Sequence, residues 1–239
     1  MIKRKKAILF FVTYFISSIA FSQSFLDVTD TSDAFVAYKN KNYSKAVILF
    51  SKVIESGTID IDLYFNRGAS YSKLHQYQNA IKDYDKVLEI SPNHFNALIN
   101  RGLANYRISK YQLALNDISQ AIEINPNDDG AYINKAMAWT AIGKYAEAIK
   151  DLDKAIALNP INFEAFYNMG MIYLQQKSYA AAIISFETAL NIDITYTDVF
   201  YYRGLAKYLN HDVTGGCRDY ERAAKYGNID AENALKDCK

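Results

Sequence analysis

A period of 34 residues runs through the chain and constrains its fold more than any other feature. The only three prolines, Pro92, Pro126 and Pro160, fall on it, as do Tyr43, Tyr77, Tyr111, Tyr145 and Tyr179. Gly68, Gly102, Gly170 and Gly204 share the period, with Ala136 in the vacant slot. Two alanine columns follow it as well: Ala46, Ala80, Ala114, Ala148 and Ala182, then Ala121, Ala155, Ala189 and Ala223. A repeat of this length is one supersecondary unit that buries its apolar face only by stacking on its neighbours.

The frames are 27–60, 61–94, 95–128, 129–162, 163–196 and 197–230. In the fourth, Tyr132, Ile133, Ala136, Trp139 and Ile142 recur at helical spacing. Gly143-Lys144 breaks the pattern, which resumes with Ala148, Ile149, Leu152, Ala155 and Ile156 until Asn159-Pro160 stops it. Each frame therefore reads as helix, tight turn, helix and short loop. The small columns let the two helices approach closely, and Tyr84, Trp139 and Phe186 are expected to fill the space between units. Three Pro and ten Gly are too few for an all-β chain, and 50% apolar residues suffice for a sizeable core. The fold class is all-α, a right-handed solenoid of about six helix-turn-helix units with a closing helix over 229–238.

The segments YFNRGASY, FYNMGMIY and FYYRGLAKY, followed by second helices such as KYAEAIKDLDKAIALNP, resemble the tetratricopeptide repeat (TPR) family in length and column order. The resemblance spans nearly all of 27–239 and is strongest over 61–196. The end frames depart from it: Ala34 and Thr58 replace glycine and proline in the first, and Val213 and Gly216 replace tyrosine and alanine in the last. Terminal units must cap an open apolar end.

At the N-terminus, MIKRKK precedes the apolar run Ala7 to Phe21, and Ala20-Phe21-Ser22 has the small-x-small form of a signal peptidase site. Residues 1–22 read as a signal peptide cleaved after Ser22; cleavage after Ala20 and an uncleaved anchor are the alternatives. A run of 15 residues is short against the roughly 20 that a bilayer requires. The absence of a nearby cysteine argues against a lipid anchor. The expected location is the periplasm or cell envelope, and the FSQ ending together with the cysteine-bearing C-terminus resembles exported Bacteroidetes proteins. Lys and Arg total 27 against 26 Asp and Glu, a formal charge of +1, which gives no reason to expect nucleic acid.

Cys217 and Cys238 flank a turn at Gly227-Asn228. If the helices on either side are antiparallel, residues whose numbers sum to about 455 face each other, and these two do. A structural disulfide in an oxidising compartment is the leading expectation; two reduced core thiols or a redox pair are the alternatives.

No phosphate loop, H-E-x-x-H or G-x-S-x-G string is present, so neither catalysis nor a cofactor is expected. His75, His94 and His211 lie in turns or loops at spacings that suit no metal. The acidic pairs Asp83/Asp85, Asp117/Glu123 and Asp151/Asp153 recur with the repeat and are expected on solvated faces or as caps.

The resemblance implies that first helices line a concave face which contacts peptide through an asparagine ladder. The matching column is Asn66, Asn100, Asn134 and Asn168, ending in Tyr202. An amide both donates to and accepts from an extended backbone, although it can equally bond its own helix. Beside it run Phe65, Ile99, Ile133, Tyr167 and Tyr201, then Ala69, Leu103, Met137, Met171 and Leu205, expected as an apolar floor unless neighbouring units cover them. The slots matching the cations of carboxylate-clamping relatives hold Asp62, Asn96, Gly130, Glu164 and Asp198, which disfavours acidic ligands. Arg67, Arg101, Lys135 and Arg203 are expected to pack by their stems with solvated heads. Together these readings describe a non-enzymatic scaffold that binds a protein or peptide segment, with the membrane involved only through the targeting segment. A rigid spacer using its convex face is the alternative.

Overall fold

The computed structural model describes residues 31–238; the expected targeting segment, 1–22, lies outside them. The helices are α1 (31–39), α2 (Tyr43–Glu55), α3 (Ile61–Lys73), α4 (Tyr77–Ile90) and α5 (Phe95–Arg107) in a first compact unit that ends at Ile108. The second unit, from Ser109, holds α6 (Tyr111–Ile124), α7 (Asp129–Ala141), α8 (Tyr145–Leu158), α9 (Phe163–Gln175) and α10 (Tyr179–Ile192). It continues with α11 (Asp198–Leu209), α12 (Val213–Lys225), the short α13 (Ile229–Ala234) and a 3-10 turn at Leu235–Cys238. Every described element is helical, and within each unit consecutive helices pack as antiparallel neighbours, the arrangement of an all-α TPR solenoid. No helix among the described residues is long and apolar enough to cross a membrane.

Local sequence fixes both ends of the first helices α3, α5, α7 and α9. Asp60, His94, Asp128 and Asn162 cap α3, α5, α7 and α9 by accepting backbone N–H bonds in the first turn. The C-terminal end closes with a left-handed residue at Lys41, His75, Ser109, Gly143, Lys177 or His211, again 34 apart. After α3, for example, the Gln76 N–H donates to the Tyr71 carbonyl at 2.9 Å and the His75 N–H to that of Ser72 at 3.1 Å. These are the paired bonds of a Schellman closure, and they aim the chain straight into the second helix.

The glycine column sits under the large rings. A Cβ on Gly170 would lie 2.6 Å from Cε1 of Phe186, and one on Gly68 would lie 3.0 Å from Cε1 of Tyr84. Tyr84 and Phe186 are fully buried against the first helix of their own pair, and each also meets the next one, Tyr84 through Asn100 and Phe186 through the Tyr202 ring 6.2 Å away, so they fill space both within a pair and between units. In the last pair the contact is with backbone itself: a Cβ on Gly216 would meet the Gly204 carbonyl oxygen at 2.8 Å. Gly216 thus replaces the usual alanine because α11 and α12 come nearly backbone to backbone.

Cys217 and Cys238 form a disulfide with Cα atoms 5.8 Å apart, pinning the closing helix to α12. The cap also buries Ala231 and rests on the cluster around Phe200, Tyr220 and Ala223.

Candidate functional site

The charged columns turn inward more than their periodicity suggests. In the first unit Arg67 grips Asp83 with Nε and Nη2 at 2.9 and 2.7 Å, and its Nη1 donates to the Ser51 hydroxyl at 3.0 Å. Asp83 is only 3% exposed. In the second unit Lys135 lies 3.6 Å from Asp151, which also accepts from Trp139 Nε1 at 3.1 Å, and Arg203 grips Asp219 at 2.8 and 2.6 Å. The solvated heads expected for Arg67, Lys135 and Arg203 are therefore corrected. The desolvated stem of the first helix carries its charge against a carboxylate sixteen residues on, because a buried ion persists only when paired. Asp83, Asp117 and Asp219 are likewise buried, not on solvated faces. Arg101 reaches Asp85 at 2.7 Å. The fifth frame dispenses with the pair, holding Met169 and Ser185, both buried, at those positions.

His94 is a cap, His75 bonds the Tyr77 hydroxyl through Nδ1 at 2.8 Å, and His211 is an exposed turn residue. Among the described residues no three His, Cys, Asp or Glu side chains gather as metal ligands.

The asparagine column divides in its bonding. Asn66 donates to the Asp62 carbonyl and Asn168 to that of Glu164, each at 2.8 Å along its own helix. Asn100 bonds the Tyr84 hydroxyl. Asn134 is half-buried on α7. In the first unit Phe65 packs 5.9 Å from the Tyr84 ring and 5.3 Å from His94, and Ile99 is half-buried.

In the second unit Ile133 is 2% exposed and lies in the core with Leu152 and Ile172. The expectation that it lines a binding floor is corrected: the helix after α7 covers that side of it. Tyr201 packs against Tyr202 and Tyr220, and Met171 is half-buried against the last core cluster.

Tyr167 and Asn168 stay available. They line a cavity of about 490 Å³ with Met137, Phe163, Tyr196 and Asp198. The Phe163 and Tyr196 rings stack 4.0 Å apart at 16°, forming one wall. Burial, together with the neighbouring Tyr202, pushes the Tyr167 hydroxyl up to about 12, so it stays protonated and donating at any physiological pH. Glu164 and Asp198 bring carboxylates to the lining. The cavity thus offers aromatic faces, one amide oxygen and an acidic rim, which suits an apolar side chain on a neutral or basic segment.

Sequence reasoning missed Phe163 and Tyr196. The signal was a break in period: position 196 is the cap slot of residues 60, 94, 128 and 162, and Ile194 stands in the proline slot. Without its cap residue, α11 starts at Asp198 with no side-chain cap bond, and Tyr196 swings onto Phe163.

Tetratricopeptide repeat family models match residues 61–94 and 163–193, and a TPR repeat model matches 137–177. No curated protein matches the sequence. Among solved structures, a tetratricopeptide repeat protein from Parabacteroides merdae superposes with a TM-score of 0.71 at 21% identity, over 88% of this chain and 83% of that one. MamA from Desulfovibrio magneticus gives 0.66 at 20% identity, over 71% and 96%. YrrB, described as a TPR protein with an unusual peptide-binding site, gives 0.59 at 21% identity, over 78% and 97%. With matches in both compact units, and helix pairs recurring at the same 34-residue step, the repeats of this chain are tetratricopeptide repeats.

Proposed function

We propose that the chain is a non-enzymatic scaffold that binds a protein segment on the surface of its first helices, with the Phe163–Tyr167–Asn168–Tyr196 cavity as principal anchor. The single observation that carries this reading is that cavity: aromatic walls and a free amide oxygen converge where the repeat is broken. Burial of one apolar ligand side chain between Phe163 and Met137 supplies affinity, and the Asn168 Oδ1 accepts a backbone N–H that sets orientation. The peptide-binding site named for YrrB supports a peptide ligand by fold analogy alone.

The test is selection from a random peptide library on the full chain, followed by measurement of the selected peptides against Tyr196→Ala and Asn168→Ala. Tyr196 is half-exposed, so its loss leaves the core intact. Peptides that bind both variants as well as the unmodified chain place recognition elsewhere. A second reading, a spacer docking through its second helices, draws on Ile48 of α2 and Ile184 of α10, which are 67% and 66% exposed. Ile184→Lys releases the partner only in that case.

We place the protein outside the cytoplasm, in the periplasm or cell envelope. The basic-then-apolar start of the sequence supports this, as does a cysteine pair at disulfide distance, which persists where thiols are oxidised. N-terminal sequencing of the secreted chain tests it: a start at Gln23 is expected, and a retained Met1 on a cytoplasmic product refutes it.

A further inference from the structure

The last helix pair carries more positive charge than its packing requires. One cation, Arg203, already satisfies the buried Asp219, as Arg67 satisfies Asp83. Yet Lys207 adds an ammonium, a second cation, to the same carboxylate at 2.8 Å. Its column is otherwise uncharged: Ala37, Tyr71, Asn105, Trp139 and Tyr173. Lys225 reverses a column that reads Glu55, Glu89 and Glu123 earlier in the chain. Arg218, Arg222 and Lys225 follow at i, i+4 and i+7 on one face of α12, with no carboxylate at ion-pair distance among the described residues.

These side chains enclose space. A cavity of about 400 Å³ is lined by Arg203, Lys207, Arg218, Asp219, Arg222 and Lys225, and by Glu221. Five cations against two carboxylates leave a surplus of three. The Arg203 and Arg222 guanidinium carbons lie 5.5 and 5.4 Å from the centre of the same Phe200 ring, which holds both heads in place. Arg222 and Lys225 also border a second cavity, of about 560 Å³, lined by Phe200, Ile194, Thr197 and Tyr226. Ile194 and Tyr226 are exposed there. A cationic cavity thus adjoins an apolar one across a shared arginine and lysine.

We propose that this pair of cavities binds a phosphate monoester bearing an apolar or aromatic group. Two guanidinium forks and an ammonium match the oxygens of a phosphate, and its double charge offsets a surplus of three better than one carboxylate does. The attached group lies over Ile194 and Tyr226. The apolar cavity shares Thr195 and Thr197 with the Tyr167 cavity, but Arg218, Arg222 and Lys225 line only the site proposed here, so the arginine substitutions test it apart from the peptide contact.

Calorimetric titration of the oxidised full chain with phenyl phosphate at low ionic strength tests the proposal. Saturable one-to-one binding in the range of about 0.1–1 mM is expected, with inorganic phosphate weaker by about tenfold. Arg218→Gln with Arg222→Gln, both exposed positions, weakens phenyl phosphate by at least about tenfold. Ile194→Ser with Tyr226→Ser weakens phenyl phosphate and leaves inorganic phosphate unchanged. Vesicles distinguish the source: sedimentation with phosphatidic acid, displaced by phenyl phosphate, assigns a lipid headgroup, and calorimetric binding without sedimentation assigns a soluble ester. The proposal is overturned by no saturation up to about 10 mM, by equal affinity in the arginine variant, or by an oligo-glutamate peptide that outcompetes phenyl phosphate. The last outcome would mark an acidic protein surface as the occupant.

Discussion

Substitution of Gly170 by alanine isolates the contact on which each helix pair is built. The added Cβ would stand 2.6, 2.7 and 2.9 Å from three atoms of the Phe186 ring, where ordinary contact begins at 3.4 Å. The ring must therefore move by about 0.8 Å, yet it is 0% exposed and has no free volume to enter. Overpacking of this kind costs about 1–3 kcal/mol, and the gain in helix propensity from Gly to Ala returns about 1 kcal/mol. Gly170→Ala should lose up to about 2 kcal/mol net. Phe186→Leu alone leaves a void and should lose about 1–2 kcal/mol as well. The fourth frame already holds the compatible combination, with Ala136 and Leu152 both buried at the equivalent positions. The double variant should then lie within about 1 kcal/mol of the unmodified chain, a favourable coupling of about 2 kcal/mol. Urea unfolding followed by fluorescence of Trp139, the sole tryptophan, reads the second unit directly. Midpoints are comparable where the slope is unchanged. Additive losses in the double variant, or a raised midpoint for Gly170→Ala, would refute the reasoning.

Four further outcomes are expected. Arg67→Met leaves Asp83 buried without its partner and should lose about 3 kcal/mol by urea unfolding, whereas Arg67→Met with Asp83→Ser, the combination of the fifth frame, recovers most of it. Lys177→Gly removes a side chain from a backbone at φ 59° and should stabilise by about 0.5–1 kcal/mol, while Gly143→Ala, at φ 75°, should destabilise by a similar amount. Removing the disulfide through Cys217→Ser with Cys238→Ser should lose about 3 kcal/mol, read as faster amide exchange in α12 and α13. Tyr84, Tyr167 and Tyr220 are each pushed up to about 12 by burial, so the fold favours their protonated forms; their contribution is complete below pH 10 and declines as pH rises from 10 to 12. Absorbance titration should show them ionising after the exposed tyrosines.

The period exposed the helix pairs because a repeat unit is constrained identically at every step. Cap residues recur at 60, 94, 128 and 162, and left-handed turn residues at 41, 75, 109, 143, 177 and 211. What the period hid was depth. Columns such as Asp83 and Asp219 look solvated in sequence, since a charged residue at a helical interval reads the same whether it meets water or an arginine sixteen residues away. Ile133 was misplaced for a related reason. Its column is half-buried at Phe65, Ile99 and Tyr167, and only packing against Leu152 and Ile172 closes over it in the fourth frame.

This separation has a consequence for where ligands can act. A column repeated in every frame is under the same packing demand in each, and its polar groups are largely consumed by that demand: Asn66 and Asn168 donate their Nδ2 into their own helices, which leaves Asn168 its oxygen alone, and Arg67 and Arg203 hold buried carboxylates. Free chemistry must therefore come from positions where the repeat is broken. Tyr196 occupies the cap slot and walls a cavity beside Phe163, and Ile194, in the proline slot, lines the apolar cavity beside Phe200. Lys207 and Lys225 bring charge to columns that are uncharged or acidic elsewhere, beside Asp219. Both departures fall between α9 and α12, so restoring the repeat locally is the decisive perturbation. Tyr196→Asn with Ile194→Pro rebuilds the cap and the loop of the fourth frame. It should stabilise α11 by about 1 kcal/mol through the new cap bond while removing the stacked wall of the cavity. A gain in stability with loss of peptide binding would show that the fold gives up a cap there to hold a ligand; unchanged peptide binding would assign Tyr196 to packing alone.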